Sequence, residues 1–359
     1  MTSLSASRAW WLFGPRADVA VFLGSALLSA LALWVGHVCG FLKAESPEWT
    51  WISAVLLVDV AHVWSTGFRV YFDLAEIRRR PVLYIGTPLI SWVVGIVLFS
   101  IGPMVFWRVM AYLAVWHFVR QQYGWVALYR AKCGESAGWG RWLDAATIYL
   151  CTLYPLIYWH AHLPLNFWWF VKQDFSASTA FLTLEQIVAP LYWLCLGLYT
   201  LRSLRSWKLG CPNPGKDMVV ATTAFCWYVG IVALNSDYAF TVTNVLIHGI
   251  PYMALVYFWQ LRRHGHVLGA SGYRGIWPFL LTLWALAYAE EMFWDRAIWH
   301  DHSWFFGSPW QMANAHMILV PLLAVPQITH YVLDGFIWRR RTNPEVGQVV
   351  LDYKTEPRV

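Results

Sequence analysis

Residues 114–125, Ala-Val-Trp-His-Phe-Val-Arg-Gln-Gln-Tyr-Gly-Trp, set His117, Arg120, Gln121 and Gln122 within one of the most apolar parts of the chain. A helix crossing a bilayer disfavours such groups by several kcal/mol unless they meet a partner or a use. Whether this stretch lies in a membrane therefore decides both the fold and where function is sought.

The composition places it there. Apolar residues make up 58% of the 359 residues and charged residues only 13%, and the chain carries 26 tryptophans. Apolar runs long enough to span a bilayer recur from about residue 17 to residue 338. The expected class is all-α: a polytopic integral membrane bundle of about ten transmembrane helices. The spans read as roughly 17–41, 49–71, 83–101, 103–129, 143–161, 181–204, 217–235, 239–262, 275–293 and 309–338. Residues 1–16 form an N-terminal segment, 17–338 a single transmembrane domain and 339–359 a polar tail. The first apolar run reads as a retained span, because it is long and lacks a cleavage site.

The net charge of +6 is an orientation signal and not a nucleic-acid footprint. Lys and Arg gather in alternate loops: Arg69 with Arg78–Arg80, then Arg130, Lys132 and Arg141, then Arg202, Arg205, Lys208 and Lys216. Arg262, Arg263 and Arg274 follow, and Arg339–Arg341 close the series. The loops between are neutral or acidic. The positive-inside rule then puts both termini in the cytosol, in the inner membrane if the source is bacterial. Tryptophans at span ends read as interfacial belts. The six cysteines form no CxxC pair and read as packing residues.

Four spans carry a polar stripe. In LLVDVAHVWSTGFRVYFD, residues 56–73, the positions Asp59, His62, Thr66, Arg69 and Asp73 alternate by three and four, and so share one helical face. His117 and Gln121 lie one turn apart with Arg120 beside them. Thr241, Asn244, His248 and Tyr252 repeat the pattern, as do Gln327, His330 and Asp334. Counted from the basic loops at helical rise, the four histidines lie roughly 10–21 Å deep. They are expected to converge.

Neutral imidazoles with carboxylates suit zinc, iron or manganese. The expected metal ligands are Asp59, His62, His117, His248, His330 and Asp334, enough for one ion or two. Gln121 and Asn244 would orient imidazoles from behind. Arg120 would hold a carboxylate or an anionic head group, and Tyr123 and Tyr252 would supply a proton or hydrogen bond. Near the interface, Arg69 and Asp73 read as snorkelling or solvated charges, and Arg108 and Asp144 belong with them. Glu290, Glu291, Asp295, His300, Asp301 and His302 read as a solvated acidic loop.

Histidines spread over several spans resemble the histidine-ligated iron of integral-membrane oxygenases, including the Brp/Blh type of carotenoid cleavage enzyme. The HxxxH and HxxHH boxes of desaturases and alkane hydroxylases are absent. A second likeness is to zinc-dependent membrane hydrolases of the alkaline-ceramidase and adiponectin-receptor class, whose closing HxxxH and SxxxH are matched by His330-xxx-Asp334 and Asn244-xxx-His248. The leading expectation is a membrane metalloenzyme acting on a lipid or other apolar substrate, with one or two iron ions and an electron donor as partner. The alternatives are a zinc lipid hydrolase and a proton-coupled transporter. Unbroken spans weaken the transporter, because transporters often use discontinuous helices at their sites, while Pro251 and the Pro321/Pro326 pair keep it open. A third reading is haem held by histidine pairs on facing helices, without a CxxCH attachment motif.

Overall fold

The computed structural model describes residues 10–44 and 46–351. Arg8 and the end of the tail beyond Leu351 lie outside them. Among the described residues the protein is helical, with no strand beyond one isolated bridge, Val267 to Ala270. Ten long helices stand where ten spans are expected. They are α1 (Pro15–Cys39), α2 (Glu48–Tyr71), α3 (Pro81–Ile101), α4 (Pro103–Lys132) and α5 (Trp139–Ala161), then α6 (Thr179–Lys208), α7 (Pro214–Ala233), α8 (Asp237–His264), α9 (Ile276–Trp294) and α10 (Ala313–Ile337). Seven of them are long and apolar enough to cross a membrane: α1, α2, α3, α6, α7, α8 and α10. They point to a membrane protein. The outward faces agree, since Leu191, Trp193, Leu194, Leu198, Leu201 and Leu204 of α6 are all exposed, a face that only lipid tails or another protein would cover.

Four of the expected helices are not regular: α1 and α7 each contain one wide π-type stretch, Val19–Leu23 and Tyr228–Ala233, and α2 and α10 depart further. Over Trp51–Val60 and again over Gly67–Tyr71, α2 winds in wide π-type turns. The last helix, α10, is interrupted at Ala324, between His316–Leu323 with its internal Pro321 and Val325–Ile337 with Pro326 in its first turn. Proline cannot donate to the helical ladder and its ring crowds the preceding turn, which accounts for the break. The expectation of unbroken spans fails here.

The chain divides into two units. One comprises Met1–Trp51, Phe118–Pro251 and Glu345–Val359. Within it, α5 packs against α6 and α7, and α7 against α1. Asp18 anchors the start of α1: its carboxylate accepts from Leu12 N at 2.7 Å, Phe13 N at 2.8 Å and the Tyr129 hydroxyl at 2.7 Å. An ionic knot ties the loop ends of four helices. Asp144, fully buried, pairs with Arg130, with Arg202 at 2.6 Å and with Lys216 at 3.1 Å. Glu135 accepts from Lys216 at 2.7 Å, Arg130 at 2.7 Å and Asn213 at 2.6 Å. Burial pushes the Glu135 carboxyl up, but the Lys216 charge and the hydrogen bonds outweigh it and hold the group below the usual glutamate range. Asp144 is thus no bland interfacial charge: a buried carboxylate needs this many donors to be stable.

The other unit comprises Ile52–His117 and Tyr252–Pro344. Within it α2 packs against α9 and α10, and α3 against α10. A Cβ on Gly95 of α3 would fall 2.8 Å from the Pro321 side chain, so the α3–α10 contact needs glycine there. Arg69 is buried and does not snorkel. Its guanidinium lies 4.2 Å from the Trp259 ring centre and pairs with Glu76 at 3.1 Å. Asp73 caps the short helix Leu74–Arg79 by accepting from Ala75 N and Glu76 N. The expected solvated acidic loop is also revised. Glu290 lies buried on α9 with its Oε2 accepting from Trp64 Nε1 at 2.6 Å, and buried Asp295 accepts from His302 N at 2.7 Å. The six cysteines are all free.

Candidate metal centre

His62, His117, His248 and His330 come from α2, α4, α8 and α10, and all four are buried. Each offers a ring nitrogen, and these four atoms lie within 4.8 Å of one another. This buried cluster could bind a metal ion. Spacing explains how each side chain gets there: each histidine lies on the stripe of its helix that faces inward, amid side chains the helix buries, such as Ala61, Val63, Ser65 and Thr66 on α2.

The rings are set at steep angles. His330 stands edge-on to His62, with centres 4.9 Å apart at 82°, and to His117, at 4.5 Å and 67°. His62 and His117 are nearly parallel, 6.5 Å apart. His330 Nε2 lies 3.1 Å from His117 Nε2. The far nitrogens have their own neighbours. His330 Nδ1 lies 2.7 Å from the Thr66 hydroxyl. His117 Nδ1 faces Asp334 Oδ2 at 3.6 Å, and His62 Nδ1 faces Asp59 Oδ1 at 3.5 Å. The His248 ring lies flat on Phe118, 3.5 Å centre to centre and 8° from parallel.

Of the expected ligand set, the four histidines come together. The group of mutually close ligand atoms holds the four histidines and neither carboxylate. Asp59 and Asp334 sit behind the rings of His62 and His117, on the Nδ1 side. There they can favour the tautomer that carries its proton on Nδ1 and turns the Nε2 lone pair inward.

The expected helpers separate. Tyr252 is at the cluster: its ring stands 4.9 Å from His330 and 6.0 Å from His62, and its hydroxyl accepts from Trp338 Nε1 at 3.3 Å. Gln121 and Asn244 are buried beside His248 but hold backbone. Gln121 Nε2 donates to the His248 carbonyl at 2.9 Å, and Asn244 Nδ2 to the Phe240 carbonyl at 3.0 Å. Gly230 lets α7 approach at that point, since a Cβ there would fall 2.0 Å from Thr243 Oγ1. Arg120 and Tyr123 lie elsewhere. Arg120 is exposed, donates to the Tyr149 hydroxyl and lies over the Tyr123 ring, which stacks on Tyr149 at 5.1 Å. On α4 the inward face passes through His117, Phe118 and Gln121, and Arg120 falls just past its edge.

Two contacts escape a reading of the stripes. Thr66 is on the expected face, but its pairing with His330 joins residues 264 positions apart. Trp338, at the end of the last span, points its indole N–H at Tyr252. Comparison with protein-family models, with curated proteins and with solved structures finds no match to this chain.

Proposed function

We propose that this protein is a membrane-embedded enzyme that holds one iron ion on His62, His117, His248 and His330 and uses it to oxidise a lipid or other apolar substrate. The observation that carries the reading is the buried four-histidine cluster. Four neutral imidazoles without a thiolate or carboxylate suit a borderline first-row ion. On a six-coordinate ion they leave two positions open, as dioxygen chemistry requires. The alternative of a zinc hydrolase is weaker on the same ground. Zinc is four-coordinate and its catalytic sites keep only three protein ligands, so four histidines would close it.

One distance is compatible with two imidazoles on a shared ion. Neighbouring imidazole nitrogens about 2.1 Å from an ion are roughly 3.0 Å apart at right angles and roughly 3.4 Å apart in a tetrahedron; the His117–His330 pair is at 3.1 Å. With neutral imidazoles, Asp59 and Asp334 would balance the charge of a divalent ion without binding it, which a low-dielectric interior demands. One four-histidine group favours one ion over two.

In this reading the ion would supply redox chemistry, and the chain supplies four buried imidazoles with the hydroxyls of Thr66 and Tyr252 beside them for proton transfer. With ten spans and both termini in the cytosol, as the basic loops suggest, the cluster would lie in the cytosolic half of the bilayer. Cleavage of a substrate double bond that takes up both oxygen atoms needs no outside reductant; hydroxylation or desaturation needs two electrons from a donor protein.

Elemental analysis of the purified protein in detergent tests the reading. The expected result is about one iron per chain, with iron lost in His62→Ala and His248→Ala. Stoichiometric zinc without iron, or no metal at all, overturns it.

A further inference from the structure

The geometry points to Thr66 as the positioning residue that makes His330 a metal ligand. This inference rests on the proposed metal centre and assigns a role within it. His330 can bind an ion through Nε2 only if that nitrogen carries a lone pair. The ring proton must then sit on Nδ1, and a buried N–H needs an acceptor. Thr66 Oγ1 lies 2.7 Å from Nδ1, a short and well-formed hydrogen bond. His62 and His117 have carboxylates in the corresponding place, Asp59 and Asp334. His330 has a hydroxyl instead.

The hydroxyl is itself held. Tyr252 OH lies 3.5 Å from Thr66 Oγ1, and Tyr252 in turn receives Trp338 Nε1 at 3.3 Å. An indole N–H can only donate. That fixes the direction at one end: Trp338 donates to the Tyr252 oxygen, and the tyrosine proton goes to the Asp334 carboxylate, which also bonds Tyr252. The Thr66 proton then turns to the Tyr252 oxygen. This leaves the Thr66 Oγ1 lone pairs for the His330 Nδ1 proton. In the other tautomer His330 would place a proton between its Nε2 and that of His117, 3.1 Å away, where an ion must enter. Thr66 therefore selects the metal-accepting form of the ring. It does so without adding negative charge, so His330 stays the least electron-rich of these three ligands.

The test compares Thr66→Val, which keeps the shape and removes the oxygen, with Thr66→Ser, which restores the oxygen. Each purified protein is titrated with iron(II) against a chelator. The visible spectrum of its cobalt(II) form is also recorded, because that spectrum reads ligand number and a merely structural role would not move it. Loss of a supporting hydrogen bond of this kind lowers metal affinity about 10–100-fold. Valine is expected to show that loss and an altered cobalt spectrum, and serine to return both. The outcomes separate cleanly. A wild-type chain that binds no iron or cobalt overturns the metal centre and this inference together. A wild type that binds, beside a valine variant of equal affinity and unchanged spectrum, overturns the role of Thr66 alone.

Discussion

His330 Nε2 and His117 Nε2 face each other across 3.1 Å, although 213 residues separate them in the chain. Two ring nitrogens so placed must share a proton or point their lone pairs at a common cation. On the proposed centre, replacing His117 by alanine removes one of the four ligands. Metal content, measured by plasma mass spectrometry, is expected to fall at least 10-fold. Retention of a full complement of metal would place the ion elsewhere.

Asp334 gives a graded version of the same experiment. It lies behind His117 at 3.6 Å and outside the ligand group. Asp334→Asn keeps the shape and removes the charge that helps balance a divalent ion. Weakened affinity, of order 10-fold, is expected in the chelator titration, with the ligand number in X-ray absorption unchanged. A drop of one nitrogen or oxygen neighbour would return Asp334 to the ligand set.

Arg120 supplies the contrasting case. It is exposed and engages Tyr149 and Tyr123. Arg120→Ala is expected to leave metal content unchanged and stability within about 0.5 kcal/mol, the range of most surface substitutions. Metal loss in this variant would revise the inward face of α4.

Much of this site could be read from the order of residues, and the failures have physical causes. The stripes on α2, α4, α8 and α10 identified the four histidines because a 3.6-residue period holds through His62–Thr66, His117–Gln121, Asn244–Tyr252 and His330–Asp334. Asp59 lies in the wide turns of Trp51–Val60, where that period no longer gives the direction of a side chain, and it falls outside the group of mutually close ligand atoms. Arg120 falls outside the cluster because three-residue and four-residue neighbours flank a face on opposite sides, and spacing alone does not say which side turns in. Arg69 and Asp144 read as interfacial charges because their partners, Glu76 and the cations Arg130, Arg202 and Lys216, lie on other elements. No local pattern announces such pairings.

The ionic knot predicts a response to acid. The folded-state pKa of Glu135 is depressed, so its contribution to stability is complete above the unfolded value of about 4.3. It is lost as pH falls through the lower folded value. The detergent-solubilised protein is expected to melt at nearly constant temperature down to about pH 5 and progressively lower below it. Glu135→Gln should flatten that decline. An equally steep fall in the variant would assign the acid sensitivity to other carboxylates.

The Arg69–Glu76 pair makes a stability prediction of its own. Both side chains are fully buried, so removing one partner strands a charge. Glu76→Gln is expected to cost about 3–5 kcal/mol, read as a lowered melting temperature in detergent. The double replacement Arg69→Met with Glu76→Gln should cost less than Glu76→Gln alone. A larger loss in the double variant would mean that the guanidinium between Trp259 and Trp338 matters more than its charge.

The dispersal of the four histidines along the chain also sets a timetable for biogenesis. At about 5–20 residues per second, a ribosome finishes His330 roughly 10–40 s after His117. If the cluster holds an ion as proposed, its donor set stays incomplete until then. Loading would follow synthesis of α10, and chains truncated before it would leave the ribosome unable to retain their cargo.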